Sequence, residues 1–128
     1  MIEDALRTKL LSVTAITDLI GQRMYVLQAP QGVEVPYVVY LVVSITPEYT
    51  AHCIQDNVVL QYSVFAATYA QARTIANLIR TELEPFYGEI EGVSVTAIRF
   101  DGLGASEREK QSQLAHISYD FKIILNKQ

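Results

Sequence analysis

The side chains best equipped for covalent chemistry are Cys53 with its neighbour His52, and the group His116, Ser118 and Asp120 near the C-terminus. A thiolate nucleophile needs a base within hydrogen-bond reach and a third group to orient that base. His52 adjoins Cys53 in sequence, and adjacent side chains on an extended segment point apart. His116 and Asp120 fall in AHISYDFKIIL, residues 115–125. Its alternation puts Ala115, Ile117, Tyr119, Phe121 and Ile123 on one face and His116, Ser118, Asp120 and Lys122 on the other. That is the pattern of a solvated sheet face, and a general base also needs a cleft and an orienting partner. The 2 histidines and 1 cysteine show no metal-site spacing. GLG at residues 102–104 lacks the third glycine and the following helix of a dinucleotide fingerprint. No catalytic, cofactor-binding or metal-binding residue is assigned, no cofactor is expected, and the expected function is not enzymatic.

Bulk properties narrow the classes further. A chain of 128 residues is expected to form one domain, residues 1–128, with a core that needs no staples. Half of it is hydrophobic and 19% charged, a globular composition. The mean hydropathy of +0.17 is high for a small soluble domain. The longest unbroken apolar run, residues 38–43, is far short of a membrane span. MIEDALRTKL, with acids at positions 3 and 4, is not expected to be a signal peptide. The surplus apolar surface is expected at a protein–protein interface. A net charge of −4 without a Lys/Arg cluster disfavours specific nucleic-acid binding. The lone Cys53 cannot form an intrachain disulfide, which fits a reducing compartment.

The elements follow from periodicity and punctuation. Ile2, Ala5, Leu6 and Leu10 share a helical face over residues 2–11, and a second helix is expected over 15–20 with Thr14 as N-cap and Gly21 after its end. Residues 24–27 form a short extended piece before a Pro/Gly loop. PYVVYLVVSI, residues 36–45, is a strand apolar on both sides. Val38, Tyr40 and Val42 point one way, and Tyr37, Val39, Leu41, Val43 and Ile45 the other. Such a strand is covered on both faces, and helices in so small a chain cover only one well. Residues 46–55 make a loop or hairpin tip carrying Tyr49 and His52. Residues 57–67 are a strand, with Leu60, Tyr62, Val64 and Ala66 on one face. The chain then turns into a helix over 68–84, with Thr68 and Gln71 in capping-box spacing and Pro85 as its stop. A strand over 93–100 precedes the polar segment 101–113, which is expected to be a mobile loop, and a last strand covers 115–125. The expected fold is α+β: a mostly antiparallel sheet of four strands (about 36–45, 57–67, 93–100 and 115–125) with helices (about 2–11, 15–20 and 68–84) on one face.

These pieces, in this order, resemble the tail-completion proteins of long-tailed bacteriophages, a family also catalogued as a domain of unknown function in prophages. The resemblance is carried by MIEDALRTKLLSVTAITDLIGQRMY, by VEVPYVVYLVVS followed by TPEYT, by VLQYSVFAATYAQARTIANLIRTEL and by the closing ISYDFKIIL. It implies a structural role like that of tail terminators of phages such as lambda. Those form a ring, typically hexameric, on the head-proximal end of the finished tail tube, stop its polymerisation and support head joining. The partners it implies are other copies of the chain, the tail-tube protein and a head-side neck protein. It places the protein in the virion, and in the host cytoplasm during assembly. A head-closure or adaptor role in the same neck is the nearest alternative, and a small ligand-binding or enzyme domain is more remote. The interface candidates are Tyr37, Val39, Leu41 and Val43 on the doubly apolar strand, Tyr49 and His52 in the following loop, and Glu107, Arg108, Glu109 and Lys110 in the polar segment.

Overall fold

Two runs of alternating apolar and polar residues build the centre of the molecule, and the outer elements pair with it or cover it. The computed structural model describes residues 2–27, 32, 35–49, 54–84, 86–90, 92–108 and 115–126. Along the chain run α1 (Ile2–Leu11), α2 (Thr14–Ile20), β1 (Met24–Val26), β2 (Tyr37–Tyr49), β3 (Ile54–Ala66), α3 (Tyr69–Leu83), β4 (Gly88–Ile90), β5 (Val93–Arg108) and β6 (Ala115–Asn126). The strands form one sheet in the order β1-β2-β3-β6-β5-β4. Among the described residues the β1–β2 pair is parallel and the other pairs are antiparallel. The expected α+β class and the helices on one face hold. The expected count of four strands does not: β1 and β4, each of three residues, extend the sheet to six. Strands that short carry too little alternation to be separated from a turn.

The core lies between the three helices and one face of the sheet. Leu60, Tyr62, Val64 and Ala66 of β3, Ala115, Ile117, Tyr119, Phe121 and Ile123 of β6, and Val38 and Tyr40 of β2 are buried there. They meet Ile2, Ala5, Leu6 and Leu10 of α1, Ile16 and Ile20 of α2, and Ala72, Ile75, Ala76, Ile79 and Leu83 of α3. Alanines at 72 and 76 bring α3 close enough for Asn77 to accept a 2.8 Å hydrogen bond from the Tyr119 hydroxyl. Arg80 lies 4.0 Å over the Phe100 ring and is held there by Glu84, to whose carboxylate its Nε donates at 2.8 Å. That bond raises the Arg80 pKa and lowers that of Glu84.

The helix starts differ in an instructive way. Thr68 is extended, and its hydroxyl accepts from the Gln71 amide at 3.2 Å, as its spacing implies. Thr68→Ala is expected to cost about 1 kcal/mol, the usual value of an N-cap hydroxyl, measured by urea unfolding. Thr14, the expected cap of α2, is instead its first helical residue. Val13 holds the cap position without a side-chain bond, because the tight α1–α2 connection leaves only residues 12 and 13 between the helices. Gly21 does follow α2, at φ 59.

Three further expectations are corrected. Residues 46–49 and 54–55, expected in a loop or hairpin tip, are the paired ends of β2 and β3. The polar segment 101–113 is not a loop throughout: β5 continues to Arg108, with Glu107 opposite His116 and Arg108 opposite Ala115. Pairing with β6 overrides a sequence with little strand preference of its own; residues 109–113 lie outside the described ones. The shared face assigned to Tyr37, Val39, Leu41, Val43 and Ile45 also breaks. The β2–β3 register shifts between Val42 and Ser44, a β-bulge that reverses the alternation. Ile45 thus pairs with buried Val58 on the helix side, and Ser44 takes the opposite face with Val59.

Candidate functional site

Among the described residues, no helix packs on the second face of the sheet, and that face is the candidate site. Alternation from the core residues places Tyr37, Val39, Leu41 and Val43 of β2 there, with Val59, Gln61, Ser63 and Phe65 of β3 and His116, Ser118, Asp120 and Lys122 of β6. The face is organised in cross-strand rows. In the first row Tyr37, Phe65 and His116 are register partners. The Tyr37 and Phe65 rings stack at 5.0 Å and 17°, and Phe65 and His116 at 4.4 Å and 5°. The second row is Val39, Ser63 and Ser118, and the third Leu41, Gln61 and Asp120.

Hydrogen bonds tie these rows together. The Ser63 and Ser118 hydroxyls lie 3.1 Å apart, and Ser118 Oγ lies 3.0 Å from His116 Nε2. Gln61 donates to Asp120 at 3.2 Å. Beyond the bulge the face turns polar: Gln55 and Asn57 donate to Glu48 at 3.1 and 3.0 Å. Those bonds, Asn57 foremost and then Gln55, hold the Glu48 carboxyl below its usual range. The face thus has an aromatic end and a polar end, with a row of small buried hydroxyls between them.

Among the described residues of this face, no nucleophile, base and orienting group come together. Ser118 touches a histidine, as a nucleophile would, but it is only 3% exposed and Ser63 9%. A hydroxyl so deep in a continuous strand pair cannot meet a substrate carbonyl, and backbone N–H groups engaged in strand pairing do not form an oxyanion hole. His116 and Asp120, four residues apart on one strand, are separated by roughly 13 Å along it, and each is held by a different neighbour. No group of three His, Cys, Asp or Glu suited to a metal exists among the described residues.

The structure gathers some of the sequence-chosen candidates and separates others. Tyr37, Val39, Leu41 and Val43 share the helix-free face, with Val43 exposed at 53%. Tyr49 is 71% exposed, but the bulge sends it to the helix side, opposite Ile54. Glu107 and Arg108 stand on β5 at the His116 end of the sheet. His52, Glu109 and Lys110 lie outside the described residues, as does Cys53. The face also contains residues that the sequence did not single out, Phe65 and the Ser63–Ser118–His116 chain. Their types were readable, but only the β2–β3–β6 register aligns them.

Comparisons with known proteins agree on the fold. No curated protein matches the chain. Of the solved structures that match, one chain in the virion of a native gene transfer agent (GTA) particle superposes with a TM-score of 0.82 at 16% identity, over 97% of this chain and 93% of that one. The family model described as "Tail completion protein gp17" matches residues 4–126. That span contains both halves of the sheet, all of α2 and α3 and nearly all of α1, and by it the chain belongs to the phage tail-completion family.

Proposed function

We propose that this protein is a structural component of a virion that caps the head-proximal end of a tail tube as a ring of identical copies. The ring stops tube growth and supports joining to the head. The observation that carries the reading is the sheet face that no helix of the described chain covers. It bears an aromatic row, half-buried aliphatics and buried hydroxyls, and the family is one of tail completion. The GTA chain with the same fold comes from an assembled particle, which suits a role in the virion. The molecular surface is 7166 Å², so two ring contacts of about 800 Å² per side occupy roughly a fifth of it. Tyr37, Val39, Leu41 and Val43 are the proposed contacts on one side, and the tail-tube protein and a head-side neck protein are the proposed partners along the ring axis. The acidic balance of the chain suits a lumen that passes DNA without holding it.

The test is tail assembly without this protein. Overlong tubes, or finished tubes that fail to join heads, are the expected result, reversed by adding the purified chain. Tubes of normal length that carry heads would overturn the proposal. Overlong tubes point to termination, whereas tubes of normal length without heads point to a head-closure or adaptor role.

A further inference from the structure

Among the described residues, both edges of the sheet are open over long stretches. β1 pairs only with Val38, Val39 and Tyr40 of β2, so no strand among the described residues covers the outer edge of residues 41–49. β4 pairs only with Val93, Ser94 and Val95 of β5, which leaves residues 97–108 equally bare. Open rows of N–H and C=O groups are templates for pairing with another chain, and long ones are normally blunted by charge or proline. Residues 41–49 carry one charge, Glu48, and one proline, Pro47. The remainder is aliphatic, hydroxylic or aromatic. The register shifts fall on the two strands with bare outer edges, at Val42/Ser44 in β2 and at Val95/Ala97, Phe100/Gly102 and Leu103/Ser106 in β5. The central β3–β6 pair is in step from Gln55 to Ala66. Bulges curl a sheet and re-aim its edge, which is the geometry needed for one sheet to meet the next.

Strand direction matches as well. Four long strands alternate in direction from β2 to β5, an even number, so β2 and β5 run opposite ways. A copy generated by rotation about an axis along the strands therefore sets its β2 antiparallel to the β5 of its neighbour. The two edges differ in sequence and shape, so the contact is head-to-tail and repeats around a ring. The bare stretches are level with each other over part of their length, Leu41 with Gly102 and Thr46 with Ala97 through β3 and β6, and residues 103–108 extend beyond Leu41 toward the other end of the sheet. Pairing the two stretches centre to centre offsets each copy by a few residues along the strands, a stagger of the kind that sheets adopt when they close.

We propose that residues 41–49 of one copy pair antiparallel with residues 97–108 of a second copy of this chain, so that successive sheets join edge to edge. This rests on the ring proposed above and gives it two complementary edges, residues 41–49 on one copy and 97–108 on the next, with Leu41 and Val43 at the joint. The test is oxidative cross-linking in a Cys53→Ser background. Thr46→Cys is combined in turn with Arg99→Cys, Leu103→Cys or Glu107→Cys, with each single variant as control. The expected result is a ladder of covalent oligomers ending at ring size for at least one combination and none for the singles. Amide exchange of the unaltered protein is expected to slow at least tenfold on assembly, in residues 41–49 and 97–108 together. A two-copy band from Thr46→Cys alone means a symmetric edge dimer and overturns the pairing. Rings visible by negative stain without any cross-linked combination, and without that protection, overturn the pairing but leave the ring. A monomer at high concentration that also fails to assemble on purified tails overturns both.

Discussion

Phe121→Ala is expected to lower the stability of the domain by about 3–5 kcal/mol, the cost of emptying a large aromatic site in a close-packed core. Phe121 is fully buried at the middle of β6. Its ring meets Tyr62 edge-on at 5.8 Å and Phe100 at 5.6 Å and 61°. Removing it strands both neighbours. The loss is not confined to the transfer of one side chain, because each edge-to-face pair adds about 0.5–1.5 kcal/mol beyond the area it buries. Collapse around the hole is limited, since β3 and β6 are fixed in register from end to end and cannot approach each other. At roughly 4 °C per kcal/mol for a domain of this size, the melting temperature falls by about 12–20 °C. Urea unfolding and a thermal melt read both quantities. Phe121→Leu retains most of the volume and is expected to lose less than half as much. Equal losses for the two substitutions would mean that the aromatic contacts, not the cavity, dominate.

Phe121 also illustrates what the sequence makes legible. It belongs to the cleanest alternating run in the chain, and a period of two assigns its face without knowledge of any partner strand. The same holds for Leu60, Tyr62 and Val64, and the period of 3.6 does as much for Ile75, Ile79 and Leu83. Thr68 is readable because a cap is a local device. What escapes is whatever depends on register between strands. The bulge after Val42 has no signature in YLVVSIT, where every residue suits a strand, yet it decides which face Ile45 and Tyr49 occupy. The continuation of β5 to Arg108 is invisible for the opposite reason: its own residues disfavour a strand, and β6 imposes one. The Tyr37–Phe65–His116 stack draws on three strands from both halves of the chain, so no window of sequence contains it. The surface proposed for assembly is thus the part least written in local pattern.

Val43→Asp is expected to separate assembly from folding. Val43 is 53% exposed, lies at the bulge and contributes nothing to the core, so the isolated domain should lose less than about 1 kcal/mol, as exposed sites usually do. On the proposed ring it stands at the edge of the contact face, where a carboxylate is buried against a neighbour without a partner. A contact buried in this way is worth about 2 kcal/mol, or roughly thirtyfold in the affinity of one contact. In a closed ring that loss is repeated at every interface. For six copies it sums to about 12 kcal/mol per ring by the same figure, enough to abolish a ring that a single weakened contact would survive. Analytical ultracentrifugation and tail-assembly complementation read the two halves of the prediction against the thermal melt. Phe121→Ala should fail in all three because the fold itself is weakened. Val43→Asp should fail in assembly and complementation while its melt stays within about 4 °C of the parent, by the same conversion. If Val43→Asp instead assembles and complements normally, Val43 is outside the contact, and the interface must be sought elsewhere on the sheet.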